Sequence, residues 1–326
     1  NKYGLIMATY KEIKGTNIEV LASDPSNPVE GQVWYNSTSA VLKGVIVTTS
    51  GSWATGGALN TARNSLGGTG TQTAALAFGG QPPNTAVTEL YNGSSWTEVN
   101  DLNTARNGPG GFGTSTSSLA YGGEGGAPNP KNETELWNGT NWTEVNNLNN
   151  TGKYIGRAGT DSTAGLAVSG IGPDNSTPVA NVELWNGTNW TETTDVNTAR
   201  DNLGGSGTST AALAFGGTPP VKANTELWNG SNWTEVNDLN TARYSGASAS
   251  QNSTSTFYVG GSGTGVTEIW NGTNWTEEGD LNSARSAVSG AGTATAGLAF
   301  GGSGPTGATE EFTGAGASVT RTFTDS

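Results

Sequence analysis

The chain has 326 residues, with 14 Lys and Arg against 27 Asp and Glu, and contains neither His nor Cys. Those two absences exclude a Ser-His-Asp triad, a His- or thiolate-held metal, a thiol nucleophile and any disulfide. A net charge of −13 lacks the basic footprint of a nucleic-acid binder and favours solubility instead.

From the N-terminus, Met7 opens MATYKEIKGTNIE. It reads as a native start with residues 1–6 upstream, and on that reading no cleaved secretion signal precedes the domain. No apolar run is long enough to insert in a membrane. Residues 23–46, SDPSNPVEGQVWYNSTSAVLKGVI, predict a Pro-punctuated loop followed by a β-hairpin turning at NSTSA. The succession DP, P, GQVWYN and LKG resembles a segment near the N-terminus of many tailed-phage virion proteins, tail fibres included. The resemblance implies that residues 1–50 are a separate segment attaching the chain to other virion proteins.

From residue 51 onward the chain repeats itself. Trp53, Trp96, Trp142, Trp190, Trp233 and Trp275 align at intervals of 43, 46, 48, 43 and 42. A small-residue pair recurs with the same period, at Gly79-Gly80, Gly122-Gly123, Ser169-Gly170, Gly216-Gly217, Gly260-Gly261 and Gly301-Gly302. So does an arginine, at Arg63, Arg106, Arg200, Arg243 and Arg285, and the third unit breaks that series with NNTGKYIGR. Three markers with one period define a repeat architecture. With 51 Gly the composition by itself suggests low complexity, but 11 Trp in register with the turns do not fit a disordered chain.

Each unit holds four short strand candidates: a Gly-rich run after the arginine, an apolar run ending at Gly-Gly, TELW, and NWTEV. Asn-Gly between the last two predicts a tight hairpin with both turn residues at positive φ. A unit this small cannot bury its own apolar strand, so the units must stack, and ring closure removes free edges. The expected fold is an all-β propeller with four antiparallel strands per blade. These residues resemble the kelch family: Arg106, Gly122-Gly123, Glu135 with Trp137, and Trp142 match its repeat, as do their counterparts over roughly residues 51–312. Trp, or Tyr91, standing where the family has Tyr followed by Asp is one departure, and the third unit is another. The resemblance implies a kelch-type β-propeller over 51–326. Six blades follow if the strand around Trp53 completes the last blade. A competing count of seven uses 318–324 there and makes QVWYN, VLKGVIV and SWATG an atypical blade.

Glu89, Glu135, Glu183, Glu226, Glu268 and Glu310 share one repeat position, Glu98, Glu144, Glu192, Glu235 and Glu277 a second, and Asp101, Asp195, Asp238 and Asp280 a third. A catalytic pair needs two particular carboxylates in unlike environments, so positions filled in nearly every unit are read as structural. The arginines are read likewise. No Ca²⁺-loop pattern appears, and neither a metal nor a cofactor is expected. Overlapping N-x-S/T sequons at Asn138/Asn141, Asn186/Asn189 and Asn271/Asn274 read as turn chemistry rather than glycan sites. Freedom for recognition lies in the unequal loops between second and third strands, longest at 124–133 and 171–181. Beside them stand Lys153, Tyr154 and Arg157, an aromatic with two cations. Those three, with Asn129, Lys131, Asp174 and Asn175, are the candidate binding residues. The expectation is a non-enzymatic phage virion protein, a fibre or decoration protein contacting a host glycan or another protein, and compatible with homo-oligomers. A bacterial extracellular adhesin or surface filament subunit is the alternative, and a carboxylate hydrolase the remaining enzymatic reading.

Overall fold

The computed structural model describes residues 18–26, 31–47, 50–126, 129–248, 252–315 and 318–323. The start predicted at Met7 lies outside them. Among the described residues every regular element is a strand, and no helix is long and apolar enough to cross a membrane. The chain forms two compact units, Asn1–Ser50 with Ala315–Ser326, and Gly51–Gly314. The expected division into 1–50 and 51–326 therefore shifts at its C-terminal end.

The first unit is a four-stranded sheet of β1 (Glu19–Leu21), β2 (Val33–Asn36), β3 (Val41–Val47) and the last strand of the chain, β28 (Ser318–Phe323), in that order. β1 and β2 run parallel, while β2–β3 and β3–β28 are antiparallel. The β2–β3 hairpin turns where NSTSA predicts, with Asn36 Oδ1 accepting the Thr38 and Ser39 amides. Asp24 explains the spacing of the motif residues. It accepts Trp34 Nε1–H at 3.0 Å, Asn36 Nδ2–H at 2.7 Å and Lys43 Nζ–H at 2.6 Å. Trp34 and Asn36 are two apart on one strand and so share a face, and Lys43 sits opposite Trp34 in the ladder. The Lys43 ammonium, then Asn36 and Trp34, hold the Asp24 carboxyl down at about 2.

The described residues of Gly51–Gly314 form six four-stranded antiparallel sheets. Blade 1 is β5 (Gly67–Thr71), β6 (Ala74–Phe78), β7 (Thr88–Tyr91) and β8 (Trp96–Val99). Blade 2 is β9 (Gly110–Gly113), β10 (Ser118–Tyr121), β11 (Thr134–Trp137) and β12 (Trp142–Val145). Blade 3 is β13 (Gly156–Asp161), β14 (Ala164–Ile171), β15 (Pro178–Trp185) and β16 (Trp190–Thr193). Blade 4 is β17 (Gly204–Gly207), β18 (Ala212–Phe215), β19 (Thr225–Trp228) and β20 (Trp233–Val236). Blade 5 is β21 (Ala247–Ser248), β22 (Thr256–Val259), β23 (Thr267–Trp270) and β24 (Trp275–Glu277). The last sheet joins β25 (Ser289–Gly292), β26 (Ala296–Phe300) and β27 (Thr309–Thr313) to β4 (Ser52–Thr55), with Phe312 opposite Trp53. Residues 318–323 pair with β3, not with β27. The first strands β5, β9, β13, β17, β21 and β25 neighbour one another in a closed cycle, so they form the inner wall of a propeller.

No blade has a core of its own. Each hydrophobic cluster joins two successive blades, as Leu76 and Phe78 of blade 1 do with Ala120, Trp137 and Trp142 of blade 2. The same holds at the other five junctions, including that between blades 6 and 1. The fourth-strand tryptophans direct each junction, because a buried indole N–H requires an acceptor. Trp96, Trp142, Trp190, Trp275 and Trp53 donate to the hydroxyls of Thr309, Thr88, Thr134, Thr225 and Thr267 on the preceding blade, at 2.9–3.1 Å. Blade 3 has Val182 where the others have that threonine, and Trp233 turns to the Thr194 carbonyl instead. The Gly-Gly pair serves the same junction. Gly80 N–H reaches the Arg106 carbonyl of the next blade at 2.8 Å. Gly79 has φ +65°, and a Cβ there would lie 2.6 Å from the same carbonyl oxygen.

The Asn-Gly turn differs from its expected form. Tyr91 pairs with Trp96, leaving the four-residue loop Asn92–Ser95. Only Gly93 takes positive φ, at 90°. Asn92 instead uses its side-chain oxygen to accept the Ser94 and Ser95 amides at 2.9 Å, an Asx arrangement that asks nothing unusual of its own φ.

Two predictions follow from these contacts. The fragment 51–314 should fold alone, whereas 56–314 lacks β4, uncovers Phe312 and should lose its cooperative melt; Trp53→Ala should cost about 3–5 kcal/mol in denaturant titrations. In the first unit, a carboxyl with a lowered pKa stabilises fully above its ordinary value and loses that effect as pH falls through its folded value. The Trp34 indole N–H resonance should therefore report loosening between pH 4 and 2, and Asp24→Asn should show it already at neutral pH. An indole signal unmoved by either change would remove Asp24 from its assigned role.

Candidate functional site

Of the three recurring carboxylate positions, only that of Glu89, Glu135, Glu183, Glu226, Glu268 and Glu310 sits inside the structure; Glu98, Glu144, Glu192, Glu235 and Glu277 are exposed. Glu89 Oε2 accepts both the backbone and side-chain N–H of Asn60, at 2.7 and 2.9 Å, and its Oε1 pairs with Arg63 at 2.7 Å. The same triad of Asn, Glu and Arg recurs at Asn103, Glu135 and Arg106, at Asn240, Glu268 and Arg243, and at Asn282, Glu310 and Arg285. In blade 4, Asn197 donates to Glu226, and Arg200 Nη1 lies 3.0 Å from Glu226 Oε1 without hydrogen-bond alignment. All of these Arg and Glu side chains are at most 4% exposed. The motif LNTAR thus ties the loop entering a blade to that blade's third strand. Asp101, Asp238 and Asp280 accept the first amide of the same third strands, from Thr88, Thr225 and Thr267.

At the axis, one residue from each blade joins a closed ring of main-chain hydrogen bonds. Gly108 N–H donates to Ser65, Tyr154 to Gly108, Asn202 to Tyr154, Ser245 to Asn202, Ala287 to Ser245 and Ser65 to Ala287, at 2.7–3.1 Å. All six have φ between 51° and 59°. Five of them are not glycine, in a conformation that is sparsely populated for such residues. Gly108 has no side chain because the Tyr154 ring lies where its Cβ would be, 2.5 Å away.

Three residues beyond the ring, Arg157 occupies a strand position that is Gly68, Gly111, Gly205, Ser248 and Gly290 in the other blades. Its Nη1 donates to the carbonyls of Gly68 and Gly111, the latter at 3.4 Å. Its Nη2 donates to those of Ser248 at 3.1 Å and Gly290 at 2.9 Å. Inner strands are edge strands, and their outward carbonyls need donors. One guanidinium supplies them to four blades at once. Burial pushes the Arg157 pKa down to about 10, and the side chain keeps partial exposure along the axis.

The candidate binding residues are thus divided. Lys153 and Asn129 meet at Glu124, a residue that the sequence reading did not single out. Lys153 Nζ is 2.8 Å from Glu124 Oε2, and Asn129 Nδ2 is 3.2 Å from Oε1. The Lys153 hydrogen bond is the main cause of a lowered Glu124 pKa. The Lys153 ammonium also lies 5.4 Å from the centre of the Tyr154 ring, whose hydroxyl donates to Asn107 Oδ1 at 3.3 Å. Lys131 is 4% exposed, with Nζ 3.4 Å from Glu133. Asp174 accepts the Ser176 and Thr177 amides and the Thr177 hydroxyl, and Asn175 takes φ 63°; both build the turn they occupy. The stretch 171–181 is less a loop than a lengthened hairpin, since Ile171 pairs with Pro178 and Gly170 with Val179. The structure does not bring Arg157 into the patch with Lys153. Its signal in the sequence was an arginine in a column of Gly and Ser.

Tyr154 and Arg157 do share a cavity of about 110 Å³ at the axis, lined also by Asn202, Ser245 and Ser289. Among the described residues none of those lining it is acidic, and it offers hydrogen bonds and a cation. Arg157→Ala should lower stability by about 2–4 kcal/mol, because hydrogen bonds to a charged group are each worth roughly 1.5–3 kcal/mol. Arg157→Lys should recover little, lacking the fork that spans four carbonyls. A denaturation midpoint unchanged in both would mean that water serves those carbonyls equally well. No family model matches the chain, and no curated protein shows significant similarity to it.

Proposed function

We propose that this chain is a non-enzymatic binding protein of a phage virion, a kelch-type propeller whose blade 2 and blade 3 loops contact a host glycan or protein. The N-terminal unit serves attachment to other virion proteins. The observation that carries the reading is the contrast between two sets of polar side chains. In five blades the repeat arginine and the third-strand glutamate are buried and engaged with one another. The polar groups released from the repeat collect at the junction of blades 2 and 3, where Glu124 joins Lys153 and Asn129 beside Tyr154. Such a cluster of a carboxylate, an ammonium, an amide and a phenol can match a polyhydroxylated or charged surface. The resemblance of Asp24, Trp34, Asn36 and Lys43 and their neighbours to virion segments supports the location.

Replacing 125–130 and 172–177 by short turns should leave the melting temperature nearly unchanged while reducing attachment to host cells at least tenfold. Glu124→Ala with Lys153→Ala should act in the same direction. Undiminished attachment would place the contact elsewhere. Mass spectrometry of purified particles should find the chain in the virion; recovery only from a bacterial surface fraction would favour an adhesin.

A further inference from the structure

Blade 3 keeps the buried carboxylate but not its arginine. Glu183 is 5% exposed and accepts Asn149 N–H at 2.8 Å, Asn149 Nδ2–H at 2.9 Å and Asn150 N–H at 3.0 Å. Gly152 stands where the other blades have Arg63, Arg106, Arg200, Arg243 and Arg285. The next residue, Lys153, sends its ammonium to Glu124 instead. Where the guanidinium would be, there is a cavity of about 30 Å³ lined by Glu183, Gly152 and Ile155 among others.

The lining of this cavity is what identifies its ligand. In the other blades the arginine donates to four kinds of backbone carbonyl besides the carboxylate: Thr104, Gly122 and Glu133 in blade 2, and Ala214 in blade 4. The blade 3 counterparts are Asn150, Ser169, Asn181 and Ala167, and all four line the cavity. Residues at the positions whose carbonyls the arginines of the other blades use, each blade using some of them, thus surround a buried carboxylate in the sixth. A carboxylate buried without a cation is costly. The space suits one water-sized particle.

We propose that this cavity binds a monovalent cation of about the size of water, ammonium or potassium, which takes the place of the missing guanidinium. Carbonyl and carboxylate oxygens are suitable donors for such an ion, and no rearrangement of the blade is required. The variant Gly152→Arg mimics the other blades. Gly152 does not have positive φ, and a Cβ there would meet Ile155 Cδ1 at 3.0 Å and the Ile171 carbonyl at 3.3 Å, so the flexible end of Ile155 must yield by a few tenths of an ångström.

The test is thermal unfolding of the full chain at constant ionic strength in potassium, ammonium or tetramethylammonium chloride, the last being too large to enter. Potassium or ammonium should raise the midpoint saturably by roughly 2–4 °C. That difference should vanish in Gly152→Arg, where the guanidinium fills the site, and in Glu183→Gln, where the charge is gone. If Gly152→Arg fails to fold, Glu183→Gln carries the comparison alone. A bound ¹⁵N-ammonium resonance, present in the parent chain and lost in the variants, reads the site directly, and displacement by potassium distinguishes the two ions. Equal midpoints in all three salts, or a difference that persists undiminished in the variants, would overturn the proposal and leave water as the occupant.

Discussion

Six strand edges meeting at one axis are the constraint on which the propeller unit depends. Each inner strand has one edge paired within its blade and one edge facing the centre, where a free carbonyl lacks a donor. The ring through Ser65, Gly108, Tyr154, Asn202, Ser245 and Ala287 satisfies one amide and one carbonyl per blade. It requires a left-handed backbone at every member. That conformation is held because each strained residue donates to one neighbour and accepts from the other, so no member can relax alone. Arg157 closes the layer beyond, replacing four separate hydrations with one guanidinium.

The repeated sentence in the sequence follows from the junctions. A blade of four short strands has two apolar faces and no interior, so every face is buried by the next blade. The indole of one blade and the threonine hydroxyl of its neighbour make the packing directional, which hydrophobic contact alone does not. The buried Arg–Glu pairs add a different kind of control. Desolvation offsets much of their Coulomb attraction, so they contribute less to stability than their closeness suggests. Each one, with the asparagine three residues ahead of the arginine, holds the entering loop against the third strand and so positions the ring residue that follows.

Blade 3 departs from this scheme at several points that bear on one another. Losing the arginine leaves Glu183 beside a small cavity. Losing the threonine at Val182 makes Trp233 choose a carbonyl. Gaining Arg157 fills the axis, and gaining Tyr154 and Lys153 alters the face beside blade 2. A propeller of identical blades would carry six guanidinium groups at its axis or none. Here a single one, Arg157, bridges four blades, and blade 3 differs from the others at the central column.

Sequence alone left open whether the strand around Trp53 or residues 318–324 completes the last blade, a pairing between distant residues, but it determined the strand order within a blade, the period and the structural character of the Glu89 position of the repeat. These are local or periodic properties: alternation, turn residues and spacing state them without reference to distant contacts. The pairing of β28 with β3, the lengthened hairpin at 164–185 and the Asx form of the Asn-Gly loops were not legible, since each depends on register or on a side chain choosing a backbone partner. Arg157 shows the limit most clearly. Its number in the chain places it next to Tyr154 and Lys153, as one more exposed cation. Only the closed ring brings the carbonyls of Gly68, Gly111, Ser248 and Gly290 to a single point, and a side chain's role is set by what converges on it in space.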